Sequence, residues 1–146
     1  REDDAVISMC VVDEDEKVLS ITENGYGKRT DPAEYREQGR GGQGVIAMNL
    51  TDKTGLLAAQ LMIAEDEDIL LITDDGTIIR TAADSIRICG RATQGVRLMR
   101  VGDGSRIVGV ARAEKEDEDD ETDAPENAAE ESDAGEDVSA EPNEEI

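Results

Sequence analysis

A period of 51 residues runs through the chain and limits what it can fold into. "ITENGYGKRT" (21–30) lies over "ITDDGTIIRT" (72–81), and with no gap "QGRGGQGVIAM" (38–48) lies over "CGRATQGVRLM" (89–99). From Thr22/Thr73 to Met48/Met99, 11 of 27 pairs are identical, among them Gly25/Gly76, Arg29/Arg80, Arg36/Arg87, Arg40/Arg91 and Gly44/Gly95. A third partial copy places "RIVGVARAEKED" (106–117) over "GLLAAQLMIAED" (55–66). Short apolar runs bounded by turn residues predict strands near 5–12, 17–23, 26–30, 44–50, 56–64, 68–73, 76–81, 95–101 and 106–112. Four short strands per period is the pattern of a propeller-like array. The reading is therefore all-β, with about two four-stranded blades in residues 1–113. One repeat and parts of others do not close a ring, so further blades are expected ahead of Arg1.

Turn chemistry supports the repeat. Asn24-Gly25 and Asp75-Gly76 predict two-residue hairpin turns, with positive φ at both positions. "GRGGQG" (39–44) also reads as G-x-G-x-x-G, the spacing of a dinucleotide-binding turn. Such a turn needs a strand before it and a helix after it, and it needs its middle glycine for the pyrophosphate. Here a strand signal follows, and the second copy, "GRATQG", has lost that glycine. What the copies share is a glycine turn carrying one Arg and one Gln.

Composition removes several chemistries. The chain has no His, Phe or Trp, so the usual general base is missing and the core must come from aliphatic residues and Met. Cys10 and Cys89 fit no metal or redox spacing and read as two reduced thiols. "LLAAQLMIA" (56–64), the longest apolar stretch, is too short to span a bilayer, and no signal segment is visible. No base stands beside a nucleophile in the sequence, so neither a catalytic constellation nor a metal site is expected.

The net charge of −22 is unevenly spread. Residues 113–146 hold 17 of the 37 acids and one base, Lys115. With few large apolar residues, the segment 114–146 is expected to form a disordered acidic tail. It reads either as a solubilising tail or as a tethered polyanion competing for the basic residues. Nine of the 14 bases before residue 113 fall in the windows 24–49 and 76–100, with only four acids. That concentration points to phosphate binding. A scaffold meeting basic partners through its acidic surface is the competing reading.

The units "ENGYGKRTDPAEYREQGRGGQGVIAM" and "DDGTIIRTAADSIRICGRATQGVRLM" resemble the last blades of the C-terminal domain of the bacterial DNA gyrase A protein. The resemblance spans residues 3–113 and joins the hairpin motif, the loop and the period. It implies a β-pinwheel that binds and wraps double-stranded DNA on its rim and supports negative supercoiling. It implies as partners the rest of the gyrase A protein and, in an A2B2 heterotetramer, the gyrase B protein. The related domain of the topoisomerase IV A protein has fewer blades. ATP and Mg would act elsewhere in the whole enzyme, with no cofactor here and a bacterial cytoplasmic, nucleoid-associated location. The family's signature heptad, Q-[RK]-R-G-G-[RK]-G, is matched by "QGRGGQG" at Gln38, Arg40, Gly41, Gly42 and Gly44 and departs at Gly39 and Gln43. It resembles a degenerate later-blade copy.

The residues expected to meet phosphate are Arg40 and Arg91, then Lys28, Arg29, Arg80, Arg36, Arg87 and Arg97. Gly41, Gly42 and Gly44 would leave backbone N–H groups open to an anion. Gln43 and Gln94 would tie down the loops, and Tyr35, aligned with Ile86, would pack. Alternation along "GVRLMRV" (95–101) would put Arg97 and Met99 on one face.

Overall fold

Thr22 and Thr73, one period apart, each close a hairpin in the same way. Thr22 Oγ1 accepts the Tyr26 N–H at 3.2 Å and donates to the Tyr26 carbonyl at 3.3 Å. Thr73 does the same with Thr77, at 3.2 Å both ways. Gly25 N–H donates to the Thr22 carbonyl at 3.1 Å, and Gly76 N–H to the Thr73 carbonyl at 3.1 Å. The connections are thus three-residue loops, 23–25 and 74–76, and not the expected two-residue turns. The positive φ falls on the glycines, 86° at Gly25 and 88° at Gly76, which is the turn-plus-bulge solution for a three-residue hairpin.

The computed structural model of the chain describes residues 3–115. Its strands are β1 (Lys17–Thr22), β2 (Tyr26–Thr30), β3 (Leu57–Ile63), β4 (Glu67–Thr73), β5 (Ile78–Ala82), β6 (Val96–Arg97) and β7 (Ile107–Glu114). They form two sheets, ordered β3-β1-β2-β6 and β5-β4-β7, with every pairing antiparallel. A shift of 51 residues carries β1, β2 and β3 onto β4, β5 and β7. Even the register break recurs, at Ile21/Thr22 and at Ile72/Thr73. The protein is all-β, as the repeat predicts, in one four-stranded and one three-stranded sheet.

The fourth strand of the first sheet comes from the second copy. β6 pairs with β2 through Tyr26↔Arg97 and Gly27↔Val96. The exchange is tight, because a Cβ on Gly95, at φ 79°, would stand 2.5 Å from the Gly27 carbonyl oxygen. The two sheets share one core. Leu19, Ile21, Ile63, Ile69, Leu71 and Ile107 from the strands join Ala83, Ile86 and Met99 in a single buried cluster. Burying each Leu or Ile stabilises by about 1.5–3 kcal/mol, so aliphatic residues suffice without Phe or Trp.

Three expected strands fail or shorten. Residues 5–12 join no sheet, with Val6 91%, Met9 95% and Val11 91% exposed. They are the counterparts of β3 and β7 but pair with no strand among the described residues. Residues 44–50 form no strand, and Val45–Ile46 are likewise the counterparts of β6 without a β2 beside them. The predicted strand 95–101 shortens to β6, because Leu98 and Met99 N–H both turn onto the Gly25 carbonyl, at 2.8 and 3.3 Å. Alternation therefore breaks, and Met99 is buried while Arg97 is exposed. The acidic tail, past Lys115, lies outside the described residues.

Candidate nucleic-acid interface

The basic residues divide by what they bond. One group is neutralised by carboxylates. Lys17 pairs with Asp31 at 3.4 Å and Lys115 with Asp84 at 2.9 Å. Arg112 bridges Glu16 at 2.9 Å and Glu67 at 2.7 Å, and Arg106 lies 3.7 Å from Glu23. Arg80, an expected phosphate contact, belongs here, since its Nε donates to Asp68 at 2.7 Å across the β4–β5 hairpin.

A second group is spent on backbone carbonyls. Lys28 is fully buried. Its ammonium donates to the carbonyls of Gly90 at 2.8 Å, Thr93 at 3.0 Å and Arg91, and to Thr93 Oγ1 at 3.4 Å. Burial pushes its pKa below the usual lysine range, while Cys89 and Glu34 pull it back upward. Arg29 is 4% exposed, with Nε on the Ile86 carbonyl at 2.8 Å and Nη2 on the Asp84 carbonyl at 3.3 Å. Neither side chain is presented to solvent, so the expectation that Lys28 and Arg29 meet phosphate does not fit their placement. They instead bolt the 84–93 segment of the second copy onto β2 of the first. The Arg29 backbone extends that seam, its N–H donating to the Arg87 carbonyl at 3.1 Å and its carbonyl accepting from Cys89 N–H at 2.8 Å.

The third group has no carboxylate partner on its side chains among the described residues. Arg36, Arg40 and Arg87 are exposed on the two repeat loops, and Arg97 and Arg100 are exposed on and just after β6. Arg91 is half-buried, with Nη1 on the Ile46 carbonyl, and its backbone N–H donates to Glu34 at 2.6 Å. Of the expected contacts, Arg36, Arg40, Arg87, Arg91 and Arg97 therefore stand outside ion pairs, and the structure sets them on the loop-and-β6 portion of the chain. Lys53 and Arg100 join them, although the sequence pattern does not single them out as site residues. Arg97 donates to Tyr26 Oη at 2.8 Å and stacks 5.2 Å from its ring centre, with Lys53 at 5.6 Å. Burial pushes the Tyr26 phenol up, but Arg97 and Lys53 outweigh it and hold the phenol below its ordinary value.

The loop 38–44 is closed on itself. Gln38 Oε1 accepts the Gly44 N–H at 3.1 Å, and Gly42 N–H donates to the Gly39 carbonyl at 3.2 Å. Two of the three glycine N–H groups expected to face an anion are thus taken, leaving Gly41. Gln38, and not Gln43, ties the loop, and Gln43 is exposed. In the second copy Thr93 takes that role from Gln94, with Oγ1 donating to the Gly90 carbonyl at 2.7 Å. Tyr35 is half-buried and its hydroxyl accepts from Gln60 at 3.4 Å. Among the described residues no three His, Cys, Asp or Glu cluster to hold a metal, and no helix is long and apolar enough to cross a membrane.

Residues 16–59 and 67–114 match the family described as DNA gyrase C-terminal domain, beta-propeller. The chain is 43% identical over 120 residues to the DNA gyrase A protein of Escherichia coli (strain K12), covering 82% of this chain and 14% of that protein. It is 42% identical over 118 residues to the DNA gyrase A protein of Mycolicibacterium smegmatis, covering 81% of this chain and 14% of that protein. The chain thus spans only a small part of the length of these relatives. The solved DNA gyrase A C-terminal domain superposes with a TM-score of 0.64 at 27% identity, over 68% of this chain and 34% of that one. The C-terminal domain of DNA topoisomerase IV matches in fold, with a TM-score of 0.65 at 21% identity, over 73% of this chain and 33% of that one. By its sheets, its period and these matches, the chain belongs to the DNA gyrase C-terminal domain family of beta-propellers.

Proposed function

We propose that the chain binds double-stranded DNA through its phosphate backbone, as part of a gyrase A domain that wraps DNA. The observation that carries this reading is the division of the basic residues. Among the described residues, the side chains of Arg36, Arg40, Arg87, Arg91 and Arg97 have no carboxylate partner, whereas Lys17, Arg80 and Arg112 do. Cations left open in so acidic a protein are suited to an external polyanion, and such binding releases counterions. The chain itself carries no catalytic step. In the whole enzyme it would support ATP-dependent negative supercoiling by a type II topoisomerase, with the gyrase B protein in an A2B2 heterotetramer. ATP and Mg would be used by other parts of that enzyme, in the bacterial cytoplasm on the nucleoid.

Wrapping is tested by topology. Nicked circular DNA is sealed by ligase in the presence of the complete chain. A shift of the linking-number distribution that grows with protein concentration is the expected result. Retarded DNA with an unshifted distribution would leave binding and refute wrapping by this chain, and no retardation at any salt would refute both.

A further inference from the structure

A cavity of about 360 Å³ opens beside Tyr26 and is lined by Lys53, Arg97, Arg100, Asn24, Asp103 and the 102–105 turn. Three cations and one carboxylate face the same space. Asp103 makes no ion pair with any of them. Among the described residues, Lys53 and Arg100 are exposed and hold no carboxylate, and Arg97 bonds the Tyr26 hydroxyl.

The walls are fixed. Tyr26 is 4% exposed and held at both backbone groups by Thr22, so its ring is a rigid platform for Arg97 and Lys53. Asn24 Nδ2 donates to the Lys53 carbonyl at 3.1 Å and to the Asp52 carbonyl at 3.4 Å, which pins the turn that carries Lys53. Thr54 in the same turn is fully buried.

The residues are also not required by the repeat. One period on, Tyr26, Asn24 and Lys53 correspond to Thr77, Asp75 and Gly104, and one period back Arg100 corresponds to Asn49. Thr22/Thr73, Gly25/Gly76 and Met48/Met99 recur, whereas Lys53 and Arg100 meet no cation at the corresponding positions.

We propose that this cavity is a phosphate site, in which Lys53, Arg97 and Arg100 grip one phosphodiester of a DNA duplex. The proposal rests on the DNA-binding reading above and adds a contact outside the repeat loops. Along β2 the cavity lies at the Tyr26 end and the 87–89 segment at the Arg29 end. Three residue steps at about 3.3 Å separate them by about 10 Å, so one duplex backbone can touch both. The lowered Tyr26 phenol agrees with an uncompensated positive field in the cavity.

The test titrates the complete chain with a labelled DNA duplex across a potassium chloride series. Four forms are compared: unaltered chain, Lys53→Ala/Arg100→Ala, Lys53→Arg/Arg100→Lys and Arg36→Ala/Arg40→Ala. The cavity variant is expected to lower the slope of log K against log salt by about 1.8, about 0.9 for each lost contact. Lys53→Arg/Arg100→Lys, which keeps both charges, is expected to restore it. An unaltered slope in Lys53→Ala/Arg100→Ala, with a lowered one in Arg36→Ala/Arg40→Ala, would overturn the cavity and leave the DNA reading standing. Absence of duplex binding by the unaltered chain would overturn both. Inorganic pyrophosphate is the second probe: Tyr26 fluorescence changes at micromolar pyrophosphate, with the duplex slope unaltered, would assign the cavity to a small anion instead.

Discussion

Lys28 and Thr93 lie 65 residues apart in the chain, and the Lys28 ammonium donates to both the carbonyl and the hydroxyl of Thr93. With Gly90 and Arg91 carbonyls alongside, the buried cation acts as a tethered ion inside a cage of backbone oxygens. The cage belongs to the loop that presents Arg91, and the cation to the strand of the preceding copy. Chain order, packing and the charged surface are coupled at this point.

Lys28→Met keeps most of the aliphatic volume and removes the donors. The Gly90 carbonyl keeps the Thr93 N–H and hydroxyl and the Thr93 carbonyl keeps the Asn49 N–H, so the loss falls mainly on the Arg91 carbonyl. A loss of about 1–3 kcal/mol is expected, read as a lower denaturant midpoint. A variant as stable as the unaltered chain would show that the cage is dispensable.

Gly25→Ala and Gly76→Ala separate backbone strain from contact. Both glycines sit at nearly the same positive φ, 86° and 88°, so both substitutions carry a strain of about 1–2 kcal/mol. At Gly76 the added Cβ meets nothing, whereas at Gly25 it would stand 2.3 Å from the Met99 carbonyl oxygen. Gly25→Ala is expected to be clearly the more damaging in thermal melts. Equal effects would mean that Met99 yields without cost.

Much of the fold is legible in the sequence because the repeat is a statement about packing. Thr22/Thr73 and Gly25/Gly76 recur because each hairpin needs that hydroxyl and that φ. The strand predicted at 5–12 does not form, because its apolar pattern matches β3 but a pattern does not specify which strand it would pair with. The site is less legible. Lys28 looks like a surface cation in "YGKRT", and its carbonyl partners lie 62 to 65 residues away. One signal of its burial is present in the sequence, since Lys28 aligns with Ile79, a polar residue at an apolar position of the repeat. Lys53 is hidden in "DKTG", which reads only as a turn until Asn24 and Tyr26 are seen against it.

Acid should weaken the fold through the hairpin tips. Asp74 is held below its ordinary pKa by the Ser105 hydroxyl and the Arg106 N–H, and Asp75 by Thr73 and Thr77. Asp31 and Asp84 are lowered too, by the Ala33 N–H and Lys17 and by Lys115. A carboxylate with a depressed folded pKa binds fewer protons folded than unfolded. Its stabilisation is complete above the unfolded value of about 3.9 and is lost as pH falls through the lower folded value. Stability is expected to be flat from pH 7 to about 5 and to drop below about 4. Asp74→Asn/Asp75→Asn should flatten that drop, and an unaltered pH profile in the variant would count against the assignment.

The segment 114–146 is proposed to compete with DNA for the open cations. It carries 17 acids against one base, and a polyanion joined to the chain acts at an effective concentration in the millimolar range. Removing it is expected to raise duplex affinity, most strongly at low salt, because screening over about 8 Å at physiological ionic strength weakens the competition. Equal affinity with and without the segment at every salt concentration would leave it a solubilising role.

The open cations are proposed to bind DNA while paired ones serve the fold, and the salt dependence of duplex affinity is the sharpest test of that division. Two variants of the complete chain are compared with the parent: Arg36→Ala/Arg40→Ala/Arg87→Ala, from the open group, and Arg106→Ala/Arg112→Ala, from the paired group. The open-group variant is expected to lower the log–log salt slope by about 2.7, about 0.9 per contact, while the paired-group variant leaves the slope unaltered. An unaltered slope in the first variant, or the same loss in both, would refute the division.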